Sequence, residues 1–266
     1  MLISPAVKLI LSVCNILKKV IFGHHAVNSA LNSEITEVSE IFYLATHTGN
    51  ISPILKLATE KKITLRPVER AHLDKLSQGE NHQGVIAMAE RTRSWDESDF
   101  LVLVEKFKES KSSIILVLDG VQDPHNLGAC LRSADAFGAK MVIIPKDKSC
   151  QITPVVEKVA CGAAQNIPVI PVTNLARVLK ELKDHDYWIM GFAGEAEQSL
   201  EKIKAKDLQG SIALVMGGEG EGLRRLTKER CDYLVKIPMV GSVESLNVSV
   251  ATGVALYAVF AAQSLN

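Results

Sequence analysis

The chain has 266 residues, thirty Lys+Arg against thirty Asp+Glu, 47% hydrophobic and 23% charged residues. That mixture belongs to a globular protein and excludes a disordered, collagenous or low-complexity chain. Zero net charge excludes a histone-like polycation but leaves room for local basic patches on RNA. Five cysteines (Cys14, Cys130, Cys150, Cys161, Cys231) contain no C-x-x-C pair, and seven histidines contain no H-E-x-x-H. Neither a disulfide framework nor a metal site is expected, and a reducing cytoplasm is the simplest setting.

In chain order, Lys8, Lys18 and Lys19 break the apolar N-terminus, so it lacks the continuous run of a membrane span. The stretch 9–17 has the apolarity of a signal peptide, but its charges follow it and no small-x-small site comes after. Residues 1–20 are read as an extension. Residues 21–93 read as a small α/β unit with strands at 40–45 and 84–89. Between them Ser52 caps a helix and Pro53 takes its first position, with Ile54, Leu55, Leu57 and Ala58 at helical spacing. Residues 94–112 are charged and serine-containing and read as a linker with a short helix. From 113 to 266 the pattern changes. Unbroken apolar strands at 114–118, 141–144, 169–172, 188–192, 212–216 and 234–237 alternate with helices at 127–137, 155–161 and 175–183, the last capped by Asn174. An uncharged helix starts near Leu246. Such alternation predicts a parallel sheet covered on both faces. The uncharged end is interrupted by Asn247, Ser249, Thr252 and Gly253 and has no basic flank, which favours a buried terminal helix over a membrane helix.

Ligands of a parallel sheet gather outside the carboxyl ends of its strands, and three loops of unusual composition leave strands there. The first runs from Asp119-Gly-Val-Gln-Asp-Pro-His-Asn126 into Leu127-Gly-Ala-Cys-Leu-Arg132. The second is Met216-Gly-Gly-Glu-Gly-Glu-Gly-Leu223. The third is Ile237-Pro-Met-Val-Gly-Ser-Val-Glu-Ser-Leu-Asn247. The glycine-rich loop matches neither the dinucleotide fingerprint nor a P-loop, and Glu219 and Glu221 would repel a polyphosphate. A ligand without phosphate and with a positive charge suits it better, and S-adenosylmethionine is one.

Together the three blocks resemble the SpoU/TrmH branch of the SPOUT RNA ribose 2′-O-methyltransferases. His82-Gln83-Gly84 also matches a short signature of that family's N-terminal domain. The resemblance covers about residues 21–262. It is nearest to members that methylate a guanosine ribose in 23S rRNA. It implies an N-terminal RNA-binding domain similar to ribosomal protein L30e, and a C-terminal α/β domain with a trefoil knot. It also implies S-adenosylmethionine as cofactor and a homodimer. By the same resemblance Arg132, Asn126, Glu219, Ser245 and Asn247 form the catalytic set. Gly217, Ile237 and Leu246 form the cofactor site.

The residues have plainer readings beside these. Arg132 could be a surface helix arginine; because guanidinium stays protonated, its catalytic role is stabilising a developing alkoxide rather than acting as a base. Asn126, Ser245 and Asn247 could be helix caps, Glu219 an exposed turn carboxylate, His125 a solvated turn histidine. Gly222 and Gly241 could serve loop shape alone. Arg66, Arg70, Lys75, Arg91 and Arg93 form either an RNA surface or a solvated face, and His82-Gln83-Gly84 could simply shape a turn. Rival functions are methylation of a tRNA or another rRNA nucleotide, a catalytically silent RNA-binding protein, and a nucleotide-dependent enzyme of the doubly wound class, which the missing phosphate motifs disfavour.

Overall fold

A computed structural model of the protein describes residues 17–33, 36–91, 95–108, 110 and 112–264. They form two units, one up to Ser94 and one from Trp95.

The first unit is a four-stranded sheet. Its strands are β1 (Leu17–Phe22), β2 (Thr36–Leu44), β3 (Thr64–Val68) and β4 (Val85–Arg91), in the order β1-β4-β2-β3. Strand β4 runs antiparallel to β1 and β2, and β3 runs parallel to β2. Alternation along β4 builds two cores. Val85, Ala87 and Ala89 join Ile21, Ile41 and the apolar stripes of α1 (His24–Asn32) and α2 (Thr48–Glu60); Ile86 meets Leu44 and Leu73, the latter from α3 (Arg70–Leu76).

Two expectations need correcting here. Residues 17–20 are not part of an extension: they begin β1, which Lys18 and Lys19 enter as the edge strand paired with β4. The rest of the apolar run 9–17, Cys14 and Arg93 lie outside the described residues. The helix does not start at Ser52-Pro53; it begins at Thr48, after a 3-10 turn over Ala45–His47, and carries Pro53 inside. That proline removes one helical hydrogen bond, and burial of Ile51, Ile54 and Ala58 outweighs the loss. His82-Gln83-Gly84 is a local brace. Buried His82 accepts the Gly84 N–H on Nδ1 (3.0 Å), which leaves Nε2 to donate to Asp74 (3.0 Å). Gln83, at φ +53°, accepts the His24 N–H (2.9 Å) and so caps the start of α1.

The second unit is a seven-stranded, wholly parallel sheet. Its strands are β5 (Ser113–Asp119), β6 (Met141–Pro145), β7 (Val169–Val172), β8 (Trp188–Phe192), β9 (Gln198–Ser199), β10 (Ser211–Gly217) and β11 (Tyr233–Lys236), in the order β7-β6-β5-β10-β8-β11-β9. Strands β5 and β6 are buried at every position, as unbroken apolar runs require. The helices are α4 (Phe100–Phe107), α5 (Pro124–Ala136), α6 (Pro154–Ala160), α7 (Ala163–Asn166), α8 (Leu175–Asp184), α9 (Arg225–Arg230) and α10 (Val248–Ser264). Helices α4 and α8 pack with Ile115, Val117 and Val215 in one core. Helices α5, α6, α7 and α10 pack with Leu116, Leu118 and Leu214 in the other. Trp95 and α4 thus belong to the second unit's packing, although their charged sequence reads as a connector. Asn174 caps α8 by accepting the Arg177 N–H at 3.0 Å. No helix among the described residues is long and apolar enough to cross a membrane.

The start of α5 differs from expectation and matters for function. Asp123 is its cap, accepting the His125 N–H at 2.6 Å, and Pro124 takes the first helical position. Asn126 is therefore not a cap; it lies inside the first turn with its amide free to reach elsewhere.

Candidate active site

Four strand ends bring the three loops together. Asp119 of β5 is in register with Gly217 of β10, Met216 of β10 with Phe192 of β8, and Phe192 with Val235 of β11. A cleft of about 470 Å³ opens outside these ends, lined by residues 192–195, 216–223, 235–237 and 244–248 together with Met239 and Ala251. Gly217, Glu219, Ile237, Ser245, Leu246 and Asn247 all stand in its wall, so six of the eight sequence-derived site residues meet in one cavity.

The glycine turn is built for close backbone approach. A Cβ on Gly217 would lie 2.2 Å from the Gly222 carbonyl carbon, and one on Gly218 would lie 2.3 Å from the Gly120 carbonyl oxygen. Any larger residue would push the turn away from itself or from the first loop. A bridge between Gly218 and Gly222 closes the turn and projects Glu219.

Glu219 organises the polar side. It accepts the Asn126 side-chain amide at 2.6 Å and the Gln122 N–H at 3.2 Å. Partial burial works against its charge, but the bonds from Asn126 and from the backbone N–H groups of Glu219, Gln122 and Asp123 prevail. They hold the carboxyl below the usual carboxylate range. Glu219 is therefore an anion at neutral pH and an acceptor rather than a proton donor. Asn126 in turn accepts from the Asn247 amide at 3.0 Å. Asn247 does both things the sequence allows: its Oδ1 also accepts the Ser249 N–H at 2.9 Å and so caps α10. One relay, Asn247 to Asn126 to Glu219, ties the three loops together.

Asp119, which the sequence offers only as the first residue of a loop, is the buried anchor of this arrangement. Its backbone carbonyl accepts the Gly218 N–H at 2.9 Å, and its carboxylate accepts the Arg224 N–H at 2.9 Å. One residue thereby grips both ends of the glycine turn. The available signal was a carboxylate ending an otherwise continuous apolar strand, a place where a charge persists only with partners.

Arg132 stands apart. It is exposed on α5, is absent from the cleft wall, and its Nη1 lies 3.6 Å from the Cys161 sulfur. Gly222 lines the cleft and Gly241 does not. Arg66 and Arg70 are already engaged, by Glu40 at 2.6 Å and Asp74 at 3.9 Å. Among the described residues no group of three or more His, Cys, Asp or Glu side chains is placed to hold a metal.

The cavity suits a nucleoside bearing a positive charge. Its volume lies in the range of small-molecule sites. Phe192, Met216, Ile237 and Leu246 supply apolar walls, and Glu219, Glu221 and Glu244 line it against one cation, Lys236, while Glu195 is paired with Lys228. A fold with a parallel sheet, a cleft at its carboxyl edge and this relay defines a class, and comparison with known proteins names it. The family model of the SpoU rRNA methylases matches residues 113–257, and the model for RNA 2′-O ribose methyltransferase substrate binding matches residues 20–95. The chain belongs to the SpoU rRNA methylase family. It is 51% identical, over 89% of its length and 95% of the relative's, to the 23S rRNA (guanosine-2′-O-)-methyltransferase RlmB of Haemophilus influenzae. Among solved structures, an RNA 2′-O ribose methyltransferase superposes with a TM-score of 0.72 at 29% identity, covering 94% of this chain and 90% of that one. An AdoMet-bound rRNA methyltransferase from Sinorhizobium meliloti shares the fold, with a TM-score of 0.70 at 20% identity, covering 91% and 86%.

Proposed function

We propose that this protein transfers a methyl group from S-adenosylmethionine to the ribose 2′-hydroxyl of a guanosine in 23S rRNA, in the cytoplasm. The observation that carries the reading is the convergence of residues 216–223, 235–237 and 244–248 on one cleft braced by the Glu219–Asn126–Asn247 relay. Half-identity to an enzyme of that printed activity supports the choice of substrate.

S-adenosylmethionine, when bound, supplies an electrophilic methyl on a sulfonium. The chain's residues then have distinct tasks. Gly217, Ile237 and Leu246 wall the adenosine with backbone and apolar surface. Glu219 faces the cleft as a fixed anion, which favours the cationic donor over its neutral demethylated product. Asn126 and Asn247 keep the loops in register, and Ser245 lines the cleft beside them, so that the ribose oxygen meets the methyl in line. Arg132 stabilises the oxygen as its proton departs and orients the neighbouring phosphate.

Arg132 lies outside the cleft of its own protomer, so its task implies a second copy of the chain. Helix α10 supplies a face for one: Val250, Val254 and Tyr257 recur at helical spacing and are 52%, 39% and 58% exposed, with Val240 fully exposed on the adjoining loop. We assign the protein a homodimeric state with this face at the contact. The trefoil knot that the family resemblance implies is part of this reading.

Incubation with methyl-labelled S-adenosylmethionine and 23S rRNA tests the reading. Label is expected in an alkali-resistant dinucleotide containing guanosine, because a methylated 2′-oxygen cannot assist strand cleavage. Label on a base, or none, rejects it.

A further inference from the structure

The rim of the same strand edge carries two basic side chains that the donor chemistry does not use. Arg224 follows the glycine turn directly after Leu223, a residue of the cleft wall. Its guanidinium is held from beneath, with Nε 3.5 Å from Asp119 Oδ1; the Asp119 side chain is fully covered while that of Arg224 is 40% exposed. Nη2 donates to the Lys148 carbonyl at 3.4 Å. Lys148 lies in the turn after β6, exposed, and in no ion pair among the described residues, whereas its neighbour Lys146 is engaged by Glu97. That turn is pinned to the first loop, the Cys150 N–H and the Ser149 hydroxyl both donating to the Val121 carbonyl at 2.8 and 3.2 Å.

The backbone at Lys148 carries a second, independent signal. Its φ is +54°, in the left-handed region where glycine or asparagine sits readily and a longer side chain adds strain. Strain of this kind is retained where the surrounding structure enforces it, and it concentrates at functional positions. Lys148 is one of six non-glycine residues with positive φ among the described residues, and of the six it is the one whose carbonyl holds the Arg224 guanidinium. A planar guanidinium held by a buried carboxylate, and braced by the backbone of an exposed lysine outside any ion pair among the described residues, is a preorganised donor to a phosphodiester.

We propose that Arg224 and Lys148 together seat a backbone phosphate of the RNA substrate at the lip of the cleft. The proposal rests on the reading of the protein as an RNA methyltransferase, and it assigns a positioning rather than a sequence-reading contact.

The test measures binding of in vitro transcribed 23S rRNA across a salt series, alongside S-adenosylmethionine affinity, for the full-length chain and its variants. Lys148→Gly removes the charge and also relaxes the backbone, so its Tm should equal or exceed the parent's. Its RNA affinity should nonetheless fall, roughly fivefold to tenfold, with the slope of log affinity against log salt shallower by about 0.7 to 1. Arg224→Lys, which keeps the charge, should lose less affinity than Arg224→Gln, and Lys148→Gly should leave donor affinity unchanged. Parental RNA affinity and salt slope in Lys148→Gly and Arg224→Gln overturn the proposal, provided the parent methylates the RNA. A parent that binds the RNA but transfers no methyl group overturns instead the functional reading on which the proposal depends.

Discussion

At the scale of single residues, the decisive fact is that Glu219 is a held anion. Its folded-state pKa is lowered, so the interaction it makes is complete above the ordinary value of 4.5 and is lost only as the pH falls through the lower, folded value. Binding of S-adenosylmethionine should therefore not vary through the neutral range on account of Glu219, and should weaken only as the pH falls through that lower, folded value. Glu219→Gln should abolish that acid limb. It should also lower kcat/KM roughly tenfold, because a glutamine amide presents donors where Asn126 and Gln122 already donate. Titration calorimetry over a pH series checks the first statement and steady-state methyl transfer the second. Asp119 acts one step further back. Asp119→Ala frees the Arg224 end of the glycine turn while leaving the Gly218 bond to the backbone intact. Donor affinity should drop about tenfold or more, with Asp119→Asn, which still accepts one N–H, recovering part of it. Equal affinities in the two variants would assign Asp119 to stability alone. Arg132→Lys should keep parental donor affinity while losing turnover about a hundredfold; full turnover in that variant refutes its role.

At the scale of elements, helix α10 serves two parts of the proposed reading. Its first turn is fixed by Asn247, which caps the helix and also holds Asn126. Asn247→Ala should cost about 1 kcal/mol of stability through the lost cap, visible in chemical denaturation, and should lower turnover at a temperature where the variant is fully folded. Further along, the helix is apolar on both sides. Thr252, Ala255, Leu256 and Val259 are buried while Val250, Val254 and Tyr257 are exposed. Val250→Glu with Tyr257→Glu should yield a folded monomer in light scattering that binds donor but does not turn over. A variant that stays dimeric places the contact elsewhere. The sequence was most informative for elements of this kind. Residues 114–118 and 141–144 are apolar throughout, so nothing competes with their reading as buried strands of a parallel sheet. It was least informative where one residue type serves two ends: Asn126 reads as a cap only until Asp123-Pro124 is recognised as the better one, and Pro53 marks a helix start only if tertiary burial does not extend the helix across it. The segment around α4 reads as a connector because charged, serine-containing stretches flank it; α4 itself is apolar at six of its eight positions, of which Phe100, Leu103 and Val104 are buried.

At the scale of the whole molecule, the three loops lie about a hundred residues apart in sequence from first to second, and only the strand order brings them together. Composition suggested each loop singly; the alignment of Asp119 with Gly217 across β5 and β10 is what makes them one cavity. That alignment, with Asp119 gripping the turn, lies in long-range register, which local pattern does not encode. Arg132 shows the converse. Its motif is plain in sequence, yet the fold leaves it exposed beside Cys161, and the catalytic role proposed for it rests on the proposed dimer.

The most direct test is a crystal structure of the protein with S-adenosylmethionine. The adenosine is expected between Gly217, Ile237 and Leu246, with the sulfonium on the Glu219 side of the cleft. A donor bound away from these residues, or a cleft that remains closed to it at saturating concentration, would contradict the account at its root.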